Sequence, residues 1–246
     1  MDRMLYVAMS GAKETLIAQA NASNNLANAS TTGFLSDLNQ FRSMPVFGAG
    51  HPTRVYAMDE RSTTDFGHGA TEYTGRDLDI AIKDGGWLAL QARDGSEAYS
   101  RRGDLRVDEN GLLVAGNGLP VMGNGGPVAI PPFEKIDIGV DGTVSIRPLG
   151  AATDELAVID RIKLVAPRYA EMTKGDDGLF RLNDGESAPA DSAQRVASGA
   201  LIGSNVNVVS EMVDMIELSR RFELQVKMMK TAEEDADAAA SILRPV

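Results

Sequence analysis

Two segments with the same helical repeat lie at opposite ends of this 246-residue chain. In each segment, residues spaced alternately three and four positions apart are mostly apolar or small, which is typical of helices that pack along a narrow seam. The N-terminal seam contains Leu5, Met9, Ala12, Leu16, Gln19, Ser23 and Leu26. The C-terminal seam contains Val208, Met212, Met215, Ser219, Phe222, Val226, Met229, Glu233, Ala236 and Ala240. The pattern predicts two terminal helices paired as a coiled coil, with the rest of the chain inserted between them.

A second stripe runs beside the N-terminal seam and consists largely of small residues. Its members are Met4, Ala8, Gly11, Thr15, Ala18, Ala22 and Asn25. A single partner helix needs only one seam, so two adjacent stripes predict several neighbours. The alternative is that one globular core covers both stripes.

Asparagines cluster at the end of the N-terminal helix, which we expect over residues 3–28. Asn21, Asn24, Asn25 and Asn28 are poor helix formers, because their amides compete for backbone groups. One interpretation is a fraying last turn with Gly33 as a left-handed stop. The other is a polar surface that hydrogen-bonds to helices of other subunits.

We therefore predict one set of residues for subunit contacts and another for a hinge. The candidates for subunit contacts are Leu5, Met9, Leu16, Asn24, Asn25, Leu26, Asn28, Val208, Met212, Met215, Phe222, Val226 and Met229. The candidates for a hinge to the central domain are Thr32, Gly33, Phe34 and Gly203.

The central region has the period of two that is typical of strands. Short apolar runs recur at intervals of about 8–12 residues, with Asp-Gly or Asn-Gly at several of the turns. The predicted strands are 78–82, 87–92, 97–102, 105–107, 112–115, 120–122, 128–130, 136–138, 143–147, 159–165 and 179–182, preceded by a possible strand at 54–58. This pattern predicts an antiparallel β-sandwich or open barrel, and Trp87 is expected in its core. The fold class is therefore α+β with a mainly β centre.

Three regions follow from these patterns. Residues 1–33 and 203–246 form the terminal helical coiled-coil domain, residues 34–75 an irregular connector with a hairpin, and residues 76–202 the β-domain. Ser204 or Asn205 is the expected N-cap of the second helix. Acidic side chains crowd the last third of that helix, where the helix dipole disfavours them. We expect residues 230–243 to fray in the free protein.

Composition excludes several classes of function. A formal net charge of −11 disfavours binding to nucleic acid. The absence of cysteine excludes thiolate metal sites, disulfides and a cysteine nucleophile. The start of the chain lacks the features of a secretory signal peptide, and no apolar run is long enough for direct membrane insertion.

No group of residues forms a convincing catalytic or metal site. His51 and His68 lie among glycines in the connector and are expected in exposed loops. The acidic turns at 137–142 and 174–178 do not match the calcium-binding loop of twelve residues with its closing Glu. Asp77 and Asp79 are expected as solvated side chains on one face of a strand. The sequence therefore predicts neither an enzyme nor a cofactor.

Three motifs resemble the bacterial flagellar rod and hook proteins. The first runs from Asn24 through Thr32-Gly33-Phe34. The second comprises Gly203-Ser204-Asn205-Val206 with Glu211-Met212 and Arg221-Phe222-Glu223. The third joins Gly85-Gly86-Trp87 to Ala98-Tyr99-Ser100-Arg101-Arg102-Gly103. Within the family, residues 1–12 and 73–80 are most similar to one of the proximal rod proteins, with the distal rod protein as the close alternative.

The resemblance implies a structural subunit that polymerises helically and transmits torque across the periplasm. It implies other flagellar rod proteins and copies of the same chain as partners. It also implies export by the flagellar type III apparatus without a cleaved signal, and a place in the rod of the basal body. The competing interpretation is a non-flagellar binding module on a helical stalk, which would need a recognition patch on the sheet.

Overall fold

The structure is a computed structural model that describes residues 4–45, 55–59, 63–83, 85–150 and 156–242. Helices α1 (Met4–Ala27) and α2 (Val208–Ile242) flank a region made mostly of strands. The strands are β1 (Asp37–Leu38), β2 (Phe41–Pro45), β3 (Val55–Asp59), β4 (Thr63–Thr64), β5 (Thr71–Tyr73), β6 (Ile80–Ile82), β7 (Trp87–Gln91), β8 (Glu97–Ser100), β9 (Leu105–Val107), β10 (Leu113–Ala115), β11 (Phe133–Ile138), β12 (Thr143–Pro148), β13 (Ala157–Arg161), β14 (Leu164–Val165), β15 (Met172–Lys174), β16 (Phe180–Leu182), β17 (Val196–Ser198) and β18 (Ala200–Ile202). The predicted α+β class with a mainly β centre is confirmed.

The chain forms two units. The first comprises Met1–Ala29, Ser36–Asp65 and Val206–Val246, and the second comprises Ser30–Leu35 and Phe66–Asn205. In the first unit α1 packs against α2 and against the hairpin of β2 and β3. The second unit contains a five-stranded sheet in the order β14-β7-β8-β16-β15 and a three-stranded sheet in the order β11-β12-β13. Every strand pairing in the described chain is antiparallel.

Strand β7 is the centre of the second unit, because both of its faces are buried. Trp87 and Ala89 face a cluster that includes Tyr99 and Phe180, whereas Leu88 and Leu90 face the larger apolar core. Successive side chains of a strand point to opposite faces, so one strand contributes to two cores. The prediction that Trp87 is a core residue is confirmed, since none of its surface is exposed.

Several predicted hairpins are confirmed. The Asp94-Gly95 turn joins β7 to β8, and Asp141-Gly142 joins β11 to β12. The possible strand at 54–58 is β3, with residue 54 outside the described residues. The predicted strand over 159–165 is wrong as a single element, because β13 and β14 pair in different sheets. The predicted strands at 120–122 and 128–130 form only isolated bridges.

The predicted main seam of α1 is not the face that packs inside the chain. Leu5, Met9 and Leu16 are 42%, 54% and 49% exposed. The buried residues of α1 are Ala8, Ala12, Thr15, Ala18, Ala22 and Asn25, which belong to the small-residue stripe apart from Ala12. Small side chains allow another backbone to approach closely. The sequence repeat located both stripes but assigned the inner face to the wrong one.

The inner face of α2 is also shifted relative to the prediction. Its partly buried residues are Glu211, Met215, Leu218, Ser219, Phe222, Gln225, Met229 and Ala232. Met215, Phe222 and Met229 therefore lie on the predicted seam, whereas Val208, Met212 and Val226 are exposed. Adjacent heptad stripes share the same spacing, so the spacing cannot distinguish them.

The start of α2 differs from the prediction of an N-cap at Ser204 or Asn205. The Asn207 side-chain oxygen accepts hydrogen bonds from the backbone N–H groups of Val209 and Ser210, at 3.1 and 3.2 Å. These are the contacts of an N-cap residue. Helix α2 therefore begins at Val208 and not near Gly203.

Candidate subunit interface

A polar contact fixes the register of α1 against α2 near the middle of α1. The Thr15 hydroxyl lies 3.2 Å from Oε1 of Gln225, to which it donates. A Cβ atom at Gly11 would lie only 2.7 Å from Nε2 of Gln225, so glycine makes room for this amide. Gln225 was not predicted because it lies one position before Val226, outside the seam assigned to α2.

A second polar contact lies at the C-terminal end of α1, at Asn25. This residue is 2% exposed, and its Nδ2 donates to Oε1 of Glu211 and to the backbone oxygen of Asp37, both at 2.9 Å. Its Oδ1 accepts from the backbone N–H of Asp37. The amide thus joins α1, α2 and β1. Since residues 15 and 25 contact residues 225 and 211 respectively, the two helices run antiparallel.

The environment of Glu211 opposes its negative charge. Burial raises the pKa of this carboxyl, the hydrogen bond from Asn25 lowers it, and the nearby charge of Asp214 raises it further. The balance is a pKa above the ordinary value. An interior Asn–Glu contact of this kind favours one register, because any slip would leave polar atoms unpaired.

The outer faces of both helices are rich in apolar side chains. On α1, Leu5, Tyr6, Met9 and Leu16 are exposed. The exposed large apolar residues of α2 are Val208, Val209, Met212, Val213, Ile216, Leu224, Val226, Met228 and Ile242. These exposed side chains make the two helices the candidate interaction surface of the described chain.

The predicted asparagines have different environments. Asn24 is exposed, whereas Asn28 is partly buried and its Nδ2 donates to the backbone oxygen of Asn24 at 3.0 Å. Nδ2 of Asn21 donates to Oδ1 of Asn39. Leu26 is partly buried. Asn25 acts inside the chain, and a direct contact of Asn24 or Asn28 with another subunit stays a prediction.

An apolar groove lies within the first unit between α1, α2 and the β2–β3 hairpin. Its volume is about 470 Å³. The lining residues include Val7 and Gly11 of α1, Phe41 and Tyr56 of the hairpin, and Met228 of α2. Of its lining residues, Phe41 and Met228 are exposed.

The first unit has no apolar core of its own among the described residues. The side chains that it buries are alanines, Thr15, Asn25 and Ser36, and no described residue of α2 is buried. By contrast, the second unit buries Trp87, Tyr99 and many Leu, Ile and Val side chains. Among the described residues the helix pair therefore buries far less apolar surface than the second unit does.

The four predicted hinge residues lie in the second unit and are hydrogen-bonded there. Thr32 donates to Asp104 at 3.0 Å, and the Gly33 N–H donates to the oxygen of Ile202 at 2.7 Å. The oxygen of Phe34 accepts from the N–H of Asn205, and the N–H of Gly203 donates to Ala70. Whether the chain bends at these residues stays a prediction.

The residues considered for chemistry do not converge on a site. His68 is exposed, and His51 lies outside the described residues. The expectation that Asp79 is solvated is wrong, since it is 3% exposed, accepts from Thr74 at 2.7 Å and pairs with Arg76. Asp77 is exposed as expected. The described part of the chain holds no group of His, Asp or Glu side chains arranged to bind a metal ion.

Neither described helix has a stretch apolar enough and long enough to cross a bilayer. The fold is therefore a unit of strands with a large apolar core and a separate helical unit with exposed apolar side chains, which is typical of a structural protein and not of an enzyme with a pocket.

Comparisons with known proteins give the family. Residues 5–34 match the family described as flagella basal body rod protein, and residues 81–146 match the D1 domain of the flagellar hook proteins FlgE/F/G. Residues 197–242 match the C-terminal family of the flagellar basal body rod proteins FlgEFG. These segments include α1, the central strands β7–β10 and α2.

Relatives that match over nearly their whole length are also flagellar basal-body rod proteins. The chain is 43% identical to flagellar basal-body rod protein FlgF of Escherichia coli K12 and 41% identical to FlgF of Salmonella typhimurium, with 99% of each chain covered. It is 30% identical to FlgG of Bacillus subtilis 168, over 95% of this chain and 96% of the relative. The chain belongs to the flagellar basal-body rod protein family. It is a structural subunit of the rod and not an enzyme, which confirms the resemblance seen in the sequence.

Proposed function

We propose that this chain is a subunit of the proximal rod and polymerises helically through its terminal helices. The observation that carries the proposal is the contrast between the units, since the helical one exposes its large apolar side chains and buries only small or polar ones. Packing against neighbouring subunits would cover that surface. In the resemblance seen in the sequence, the proximal rod protein corresponds to FlgF and the distal one to FlgG, so the greater identity to FlgF supports a proximal place in the rod.

In this proposal the two helices form an antiparallel coiled coil, and the second unit is a β-sandwich or open barrel. The support for the coiled coil is the seven-residue spacing of the inner face of α2, where Met215, Phe222 and Met229 recur. Strands buried on two faces, such as β7, support two packed layers in the second unit.

The subunit contacts would use the exposed members of the predicted set. These are Leu5, Met9, Leu16, Asn24, Val208, Met212 and Val226. The partly buried members, Leu26, Asn28, Met215, Phe222 and Met229, would contribute at the edges of the helix pair. Many weak apolar contacts per subunit add along a polymer, so the rod resists twisting without covalent links.

The proposed partners are copies of this chain and other flagellar rod proteins. Their proposed location is the rod in the periplasmic space, where they transmit torque. We also propose export by the flagellar type III apparatus without a cleaved signal. Weakly stable terminal helices would suit passage through a narrow channel and would delay polymerisation until the chain reaches the growing rod.

The test is the substitution Met212→Glu, introduced at the natural locus of the source bacterium. Met212 is exposed, so the charge should leave the second unit folded but block packing between subunits. We expect loss of swimming in soft agar, with export of the protein retained. The matched control is Val140→Glu, at an exposed apolar residue of the second unit. Swimming at the normal rate by the Met212 variant would contradict the proposal.

A further inference from the structure

The chain passes between its two units after Ala29, Leu35, Asp65 and Asn205. The segments of the second unit that adjoin the last three of these crossings meet at one residue, Asn205. Its backbone N–H donates to the oxygen of Phe34 at 3.3 Å, and its side-chain Nδ2 donates to the oxygen of Gly67 at 3.3 Å. Asn205 therefore contacts both the segment that ends at Leu35 and the segment that begins at Phe66.

Backbone contacts beside Asn205 hold the same three segments together. Gly33 donates to Ile202 at 2.7 Å, and Gly203 donates to Ala70 at 2.8 Å. A Cβ atom at Gly69 would lie 2.1 Å from the oxygen of Gly203, so the two backbones touch directly. The segments 33–35, 66–70 and 202–205 thus form a three-segment bundle, which we call the neck.

Two cationic side chains, Lys174 and Arg101, attach the neck to the rest of the second unit. Nζ of Lys174 donates to the oxygen of Leu35 at 2.9 Å and lies 4.3 Å from the centre of the Phe34 ring. Nη1 of the buried Arg101 donates to the oxygen of Phe66 at 3.1 Å. The Phe66 ring stacks on Tyr169, with their centres 4.4 Å apart. Two of the three segments are therefore fixed independently of Asn205.

The segment with Asn205 lies directly before the long helix of the assembly unit. Helix α2 begins at Val208, and its cap is Asn207 and not Asn205. A pull or twist on α2 reaches the second unit first at Asn205. We propose that Asn205 is a positioning residue that ties this segment to the two anchored ones, so that load entering through α2 is shared among three backbone connections.

The chemistry of the side chain supports this role. The contact to Gly67 needs an N–H donor, and Asn supplies one from a short side chain that also leaves the backbone N–H free for Phe34. Aspartate has the same shape but cannot donate, and its charge would face the Gly67 oxygen. Asn205→Asp therefore removes the tie with little change in volume.

The first test is hydrogen exchange of the full-length chain carrying Asn205→Asp or Asn205→Ala. We expect the amides of Gly203 and residue 205 to exchange about fivefold faster, as for the loss of one hydrogen bond. The amides of β7 and β8 should not change. The control is Asn207→Asp, two residues away, which keeps a good cap. Unchanged exchange at Gly203 and residue 205 in both Asn205 variants would overturn the proposal.

The second test measures load directly with optical tweezers. The natural chain has no cysteine, so single cysteines at the exposed residues Ser210, at the start of α2, and Glu109 can carry the handles. The first extension should occur at lower force in Asn205→Asp than in the unmodified chain or Asn207→Asp. Equal forces would overturn load sharing. Neither measurement requires polymerisation, so the proposed assembly function can fail or succeed separately.

Discussion

At the scale of single residues, the strictest constraint falls on a glycine whose surroundings leave no room for any side chain. Gly33 has a backbone φ of +66°, and a Cβ atom there would lie 2.4 Å from the backbone carbon of Arg101. Gly11 is limited differently, because the atom that it would meet is the end of the flexible Gln225 side chain. Glycine is therefore required at residue 33 by both conformation and space.

We predict that Gly33→Ala lowers the free energy of unfolding of the second unit by about 3 kcal/mol or more, since strain and a backbone clash add. Gly75→Ala is the matched control. Its φ is +72° but nothing lies within 4 Å of the added atom, so only the strain of about 1 kcal/mol applies. Thermal unfolding followed by near-ultraviolet circular dichroism of Trp87 measures both. Equal effects of the two substitutions would show that the clash is relieved.

Tyr99 is a buried phenol whose ionisation should destabilise the second unit. Burial raises its pKa to about 12, the hydrogen bond from the Ala188 N–H lowers it, and the charge of Glu97 raises it. A raised pKa favours the neutral phenol in the folded state, so this contribution is complete below pH 10 and is lost between pH 10 and 12.

We predict that Tyr99→Phe removes this alkaline loss of stability. Below pH 10 the variant should be less stable by about 1–2 kcal/mol, because the buried Ala188 N–H loses its acceptor. Urea unfolding at a series of pH values measures both effects. Tyr73→Phe, at a tyrosine that is 86% exposed, should leave the whole profile unchanged. A Tyr99→Phe profile with the same alkaline slope as the natural chain would contradict the prediction.

At the scale of elements, two polar contacts set the pairing of α1 and α2. Thr15 with Gln225 and Asn25 with Glu211 lie at separate levels of the helix pair, and each loses hydrogen bonds if one helix slides. The alanines between them bring the helices close but specify no register. The polar pairs therefore select the register, and the small residues set the distance.

We predict that cysteines replacing Thr15 and Gln225 are cross-linked within one chain by a short bis-maleimide. The cysteine-free background makes the reaction specific. The control pair replaces Lys13, an exposed residue of the same helix, together with Gln225. Mass spectrometry of the cross-linked peptides gives the yields. A higher yield for the Lys13 pair would mean that the helices use another register.

At the scale of the whole molecule, stability is divided unevenly between the two units. The two helices make up about a quarter of the chain, yet they bury only small or polar side chains among the described residues. From Glu233 onward, every described residue of α2 is exposed. The second unit holds nearly all of the large buried apolar residues, so it should remain folded when the first does not.

We predict that the free chain is less helical than the structure, and that helicity rises when it assembles with another rod protein. Far-ultraviolet circular dichroism of the free and mixed proteins measures this change. Hydrogen exchange should show weak protection over residues 230–242 in the free chain and strong protection over β7 and β8. Full helicity, or strong protection at 230–242 in the monomer, would contradict the prediction.

The sequence alone predicted features that depend on local periodicity. The heptad spacings located both helices within a few residues, and Asp-Gly turns located hairpins such as β7–β8 and β11–β12. The same signals supported the α+β class, whereas the family resemblance rested on three separate motifs. The periodic signals failed where a choice required long-range contacts. The strand predicted over 159–165 was split because its two halves pair with different partners.

Only the tertiary structure decided which stripe of each helix faces inward. Leu5, Met9 and Leu16 have the residue types of an inner seam, but the small-residue stripe is buried instead and these larger side chains stay exposed. Likewise, Asn205 has the sequence context of a helix cap, yet its amide contacts Gly67, far away in the chain. Repeats specify which faces exist, whereas the partners available in space determine which face is buried.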